Sequence, residues 1–182
     1  MIMELKEAIM TRRTVRKFAD KAVSKETMTE IISLAAYVPS WKNSQTARWN
    51  VVTDRTVIEK IANEATMGFE HNKEIILSCP CLVIQSAVTG RCGYERDGSF
   101  STSQGSGWEM YDSGIAAQTF SLAAHDAGLG SVIMGIIDDK KIAEIIELPD
   151  TERVTAAIAV GYPAEEPKCP PKKSAEEITR FI

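Results

Sequence analysis

The chain has 182 residues, 44% of them hydrophobic and 25% charged, with a formal net charge of -4 at pH 7. That length supports one full core and no obvious second one, in a chain of ordinary globular composition. A pI of about 5.3 argues against a nucleic-acid binder, and no apolar run reaches the roughly 18 residues of a membrane span. The stretch Met1-Ile2-Met3-Glu4-Leu5-Lys6 lacks the apolar segment of a secretory signal, so a cytoplasmic location is expected.

Taken in order, Leu5, Ala8 and Ile9 recur at helical spacing and predict a short amphipathic helix over 4–11. Arg12-Arg13-Thr14-Val15-Arg16-Lys17-Phe18 follows, with four cations and a hydroxyl in seven residues. If this segment is extended, Arg12, Thr14 and Arg16 share one face. Arginine grips phosphate bidentately, so an anionic ligand is one reading; a solvated basic patch is the other. Ser24 predicts the cap of a second helix through Met28, Ile31, Ile32 and Ala35, stopped by Pro39.

The polar loop Pro39-Ser40-Trp41-Lys42-Asn43-Ser44-Gln45 supplies hydroxyls and two primary amides, each able to donate and accept. A flat heterocycle with alternating carbonyls and ring nitrogens needs that capability, and a hydrogen-bonded turn after a helix would use it too. Trp49–Thr53 reads as a strand, and Asp54 as the cap of a helix carrying Val57, Ile58, Ile61 and Ala62. Cys81-Leu82-Val83-Ile84 is a continuous apolar run suited to a central strand covered on both faces.

Residues 89–107 are rich in Gly and Ser, the composition of a long surface loop or flap. Residues 112–127 predict a helix apolar nearly all round, ended by Gly128; Gly130–Gly135 reads as a strand. Asp138 or Asp139 should start another helix through Ile142, Ile145 and Ile146, and Val154–Val160 is the last strong strand. The tail, 164–182, begins as a Pro- and charge-rich arm and ends on Ile178, Phe181 and Ile182. Two helices precede the first strand and the spacing is irregular, which suits an α+β sandwich with a mixed sheet.

Cys79, Cys81, Cys92 and Cys169 form no C-x-x-C pair, and His71 and His125 stand in no ligand spacing with them, so no metal is expected. Cys79 and Cys81 read as small buried hydrophobes. There is no Gly-x-Gly-x-x-Gly or Walker loop, so capture of any phosphate must rely on side chains.

Four segments, in order and spacing, resemble the FMN-dependent nitroreductases: Arg12–Phe18, Pro39–Gln45, Ala123-Ala124-His125-Asp126-Ala127-Gly128-Leu129-Gly130 and Val160-Gly161-Tyr162-Pro163-Ala164. The resemblance implies one domain over 1–182, a three-layer α+β sandwich whose central mixed, mainly antiparallel β-sheet is flanked by helices. It implies a homodimer with FMN at the interface, the arm 164–182 packing on the partner. It also implies that Arg12, Arg13 and Thr14 meet the flavin phosphate, with Lys172 closing over it, and that Arg16 reaches the pyrimidine edge. Pro39, Ser40, Asn43 and Gln45 would line the ribityl chain and ring, and Asn72 the ring edge. Ile133, Met134 and Gly135 would pass along the other side, the Gly135 amide near N5. Met134 and Ile75 depart from the glutamate and lysine that many or some relatives carry.

Such a site implies NAD(P)H as electron donor and a small acceptor, a nitroaromatic or quinone, in the same pocket, hence ping-pong kinetics. No catalytic side chain is expected; the Gly135 amide and Arg16 would tune the cofactor. Trp41, Trp108 and Tyr111 are the candidate substrate contacts. A flavin carrier or sensor, or a relative acting on an enone, a halide or flavin itself, is the alternative.

Overall fold

The computed structural model describes residues 4–182. Residues 1–3, part of the N-terminal stretch expected to lack a secretory signal, lie outside the described residues. Two apolar strands occupy the middle of the sheet because both their faces are covered. β2 (Cys81–Val88) and β4 (Glu152–Gly161) lie between β1 (Ala47–Val52) and β3 (Gly130–Met134), in the order β1-β2-β4-β3, with every pairing antiparallel. A parallel component comes from an isolated bridge between Thr14 and Ser131, which sets the segment after the first helix beside β3.

Side chains alternate across this sheet with period two. Leu82, Ile84, Ala157 and Ala159 face a layer made of α3 (Arg55–Glu64), α4 (Glu70–Ser78) and α6 (Asp139–Ile145). Cys81, Val83, Ala156, Ile158 and Val160 face α2 (Lys25–Ala35) and α5 (Gly107–Asp126). The register shifts between Gln85 and Ser86, leaving Thr155 as an extra residue on β4. This bulge reverses the alternation, so Val154 packs with the α3 layer while Ala156 packs with the α5 layer.

Three helix starts are set by the expected caps: Ser24 accepts from the Thr27 amide, Asp54 from Thr56 and Asp138 from Lys141. Two elements differ from expectation. α4 is not legible in the sequence because Glu70-His71-Asn72-Lys73-Glu74 shows no apolar position; its packing rests on Ile75 and Ile76 near its end. α5 starts at Gly107, earlier than the expected 112, and its first two turns bury Glu109, Asp112 and Ser113.

Past α1 (Leu5–Thr11) the chain runs extended. Val15 is buried, its amide donating to Ser131 O at 3.1 Å, and Phe18 bridges Pro163. The approach is close because residue 130 is glycine: a Cβ there would lie against Val15 Cβ and both its γ carbons. The arm after Pro163 lies against this same segment, with Ala164 N donating to Lys17 O at 3.0 Å and Lys17 pairing with Glu165 at 3.4 Å. Its end does not pack on its own chain: Ile178 is 70% exposed and Phe181 95%.

Candidate functional site

The extended run and the arm enclose a cleft of about 690 Å³. Arg12, Arg13, Thr14 and Arg16 line it from one side and Lys168, Cys169 and Lys172 from the other, with Ile9, Met10, Pro167 and Pro170 as its apolar wall. No carboxylate lines the cleft. Arg13 is partly engaged, since Nη1 donates to Met10 O at 2.7 Å and to Arg12 O at 2.9 Å, closing the free carbonyl end of α1. Among the described residues, Arg12, Arg16, Lys168 and Lys172 make no side-chain hydrogen bond or ion pair. Uncompensated positive charge is felt nearby. Burial, then the charges of Arg12 and Arg13, hold the His125 imidazole below its ordinary value, and its Nε2 lies 2.8 Å from Thr11 Oγ1.

Past the Thr14–Ser131 bridge the run crosses the end of β4, Phe18 bridging Pro163 and Ala19 N donating to Tyr162 O at 2.8 Å, while Arg16 lines the cleft. Ile133 is exposed, Met134 is buried and Gly135 is exposed at the strand's end. Asn72 is 7% exposed and donates from Nδ2 to Ile136 O at 3.0 Å, which fixes the turn that follows Gly135. Thr14 thus lies beside the start of β3, and Asn72 beside the turn that follows its end.

The 39–45 loop belongs to a second region. Its backbone is left-handed at Lys42, Asn43 and Gln45, conformations that cost non-glycine residues energy and that surrounding contacts must hold. Ser40 supplies one such contact, its Oγ accepting from the Gln45 amide at 3.0 Å. Asp112, 6% exposed, supplies the other: Oδ2 accepts from Trp41 N at 2.8 Å and from the Cys92 thiol at 3.1 Å. Burial, with help from Asp112, pushes the Cys92 thiol up to about 12, so it stays protonated and serves as a hydrogen-bond donor, not a nucleophile. Burial also raises Cys79 and Cys81 to about 12, in keeping with their expected role as small buried hydrophobes.

The same helix end fastens the 89–107 flap. Glu109, 2% exposed, accepts from Gly90 N at 2.8 Å and pairs with Arg153 at 3.3 Å. The three candidate substrate aromatics converge here, with Trp41 and Trp108 ring centroids 4.8 Å apart and Trp108 and Tyr111 5.4 Å apart. Pro39 is exposed at the entrance to the loop. The cleft lined by Arg12–Arg16 contains no residue of 39–45, so within one chain the two regions remain separate.

Sequence reasoning missed Asp112, Glu109 and Cys92 as the supports of the aromatic corner, and Lys168 as a fourth free cation. A signal existed for the first two: an acidic pair three residues apart, followed by Ser113, just before the apolar stretch Ile115-Ala116-Ala117.

A family model described as "Nitroreductase family" matches residues 9–162. A protein of Methanothermobacter thermautotrophicus, whose name pairs NADH dehydrogenase with NAD(P)H nitroreductase, is 30% identical over 91% of this chain and 80% of its own. The "FMN reductase [NAD(P)H]" of Bacillus subtilis is 25% identical over 96% of this chain and 72% of its own. In fold, a nitroreductase family protein of Streptococcus pneumoniae superposes with a TM-score of 0.86 at 23% identity, covering 98% of this chain and 100% of its own.

Proposed function

This chain belongs to the nitroreductase family, and on that footing we propose that it is an FMN-dependent oxidoreductase that uses NAD(P)H to reduce nitroaromatics, quinones or a related small electrophile. The observation that carries the reading is the cleft of five cations with no lining carboxylate, four of them without a partner among the described residues. Such a set fits a phosphate monoester: guanidinium groups give paired hydrogen bonds, ammonium groups give charge, and Thr14 adds a neutral hydroxyl donor. When bound, FMN supplies the hydride chemistry, accepting from NAD(P)H at N5 and passing the reducing equivalents to the acceptor.

The chain's own residues hold and bias that cofactor. Arg12, Thr14 and Lys172 grip the phosphate, and Arg13 contributes what its capping role leaves free. Arg16, on the same cleft as Arg12 and Thr14, would bring a fixed positive charge to the pyrimidine edge, favouring electron uptake there. Gly135 offers a backbone amide, with no side chain in the way, to the N5 side, and Asn72 holds the turn behind it. Ser40, Asn43 and Gln45 meet the ring and ribityl chain from the second region, and Trp41, Trp108 and Tyr111 cover the open face.

Both regions reach one cofactor when they come from different subunits of a homodimer. The apolar surface left open on α1 and the arm is available for that contact: Leu5 is 69% exposed, Ile9 56%, Met10 62% and Phe181 95%. Donor and acceptor use the same pocket in turn, giving ping-pong kinetics.

The test is anaerobic addition of NADH or NADPH to the FMN-loaded protein. Loss of the yellow absorbance, with recovery on adding a nitroaromatic or quinone, is expected. Absorbance unmoved by either donor would overturn the reading in favour of flavin carriage.

A further inference from the structure

A second cleft, of about 420 Å³, lies between the 39–45 loop and the flap. Trp41, Asn43 and Ser44 line it from the loop, and Arg91, Tyr94 and Arg96 from the flap. Lys42 and Glu95 close its rim as a pair, 3.3 Å apart. The neighbouring Ser101 hydroxyl and then Lys42 lower the Glu95 carboxyl from its ordinary value, so Glu95 answers Lys42. Arg91 and Arg96 are exposed and, among the described residues, have no hydrogen bond or ion pair from their side chains.

Two of the loop residues that line the cleft also carry an atom without a partner. Trp41 Nε1 and Ser44 Oγ are buried with no hydrogen-bond partner among the described residues. Buried donors are ordinarily satisfied, and an indole N–H can be satisfied only by an acceptor. Two free guanidinium groups on one aromatic-walled cleft share one complement, an anionic oxygen group. The volume accommodates a substituted ring.

We propose that this cleft is an anion subsite that selects acceptors carrying a carboxylate, held by Arg91 and Arg96 while the ring lies against Trp41. The proposal rests on the reading above that Trp41 faces the acceptor. It names a substrate class, small carboxylate-bearing nitroaromatics or quinones, in preference to their neutral analogues.

The experiment compares 4-nitrobenzoate with 4-nitrobenzamide on the FMN-saturated protein. Isothermal titration calorimetry without a hydride donor measures binding, and steady-state kinetics measures kcat/KM. The benzoate is expected to bind about tenfold more tightly, with an advantage that shrinks as salt rises. R91A/R96A should remove the preference while leaving FMN affinity and the kcat/KM for the benzamide unchanged. Equal binding of acid and amide by the natural chain would overturn the proposal, as would a preference that survives R91A/R96A.

NADPH and NADH form the second arm. If R91A/R96A lowers kcat/KM for NADPH alone and leaves the acceptor ratio intact, the anion is the dinucleotide's phosphate and the carboxylate assignment fails. A natural chain that takes up no FMN, or does not bleach with either donor, defeats the function proposed above; a chain that bleaches and reduces nitrobenzamide without preferring the acid defeats only the subsite.

Discussion

The cleft of Arg12–Lys172 and the corner of Trp41–Asp112 are built on opposite principles. The first gathers five cations and, among the described residues, leaves four of them unpaired, so their charge is open to something from outside the chain. The second is answered from within: Asp112 holds Trp41 N and the Cys92 thiol, Glu109 holds Gly90 N and Arg153, and Ser40 holds the Gln45 amide. An open electrostatic site needs little surrounding structure because long-range charge tolerates imprecise placement. A corner meant to set the tilt of aromatic planes does need it, and buried carboxylates at the start of a rigid helix provide it.

If that contrast is right, the two regions fail differently. The largest effect is expected from Gly130→Val, since a side chain there meets Val15 and pushes the arginine run off β3. Overpacking should cost about 3 kcal/mol in urea denaturation and abolish FMN retention on gel filtration; a variant that keeps both would show that the run is not held by this approach. Asp112→Ala should lose about 2 kcal/mol, because it leaves the Trp41 amide and Cys92 thiol unanswered. Faster proteolysis of the flap at unchanged FMN affinity would assign Asp112 to the corner alone, whereas lost FMN affinity would join the two regions.

Arg12→Ala removes a charge-assisted contact worth about 1.5–3 kcal/mol, so the FMN dissociation constant should rise by about tenfold or more, with stability unmoved. Arg13→Ala should instead show a smaller loss of affinity and some loss of stability, because Nη1 closes the end of α1. Arg16→Ala is expected to lower the flavin midpoint potential, measured by dye equilibration. An unshifted potential would give that role to another group.

The smallest effect concerns His125. Its folded pKa lies below the ordinary 6.5, so at acid pH the unfolded chain takes up a proton that the folded chain resists. Stability should therefore fall as pH drops from about 6.5 through the folded value. His125→Gln should flatten that decline, and an unchanged pH–stability curve would mean that burial and the charges of Arg12 and Arg13 do not depress the imidazole.

Much of the fold was legible. Cys81–Ile84 was recognisable as a central strand from unbroken hydrophobicity, and Ser24, Asp54 and Asp138 announced helix starts by side-chain chemistry alone. The cationic run showed itself for a similar reason, because four like charges in seven residues are a local property. α4 stayed hidden because a helix whose first turns are charged acquires its buried face only when Ile75 and Ile76 meet the sheet.

Sequence alone determined the groups available: arginines for an anion, amides and aromatics for a ring, and strands apolar enough to be covered twice. Tertiary structure decided which of them stand together. It set Lys172 across from Arg12, Asp112 under Trp41, and Arg91 and Arg96 on one cleft with the 39–45 loop. Residue type fixes what a group can bond to, whereas partners far apart along the chain are chosen by packing, which no local window contains.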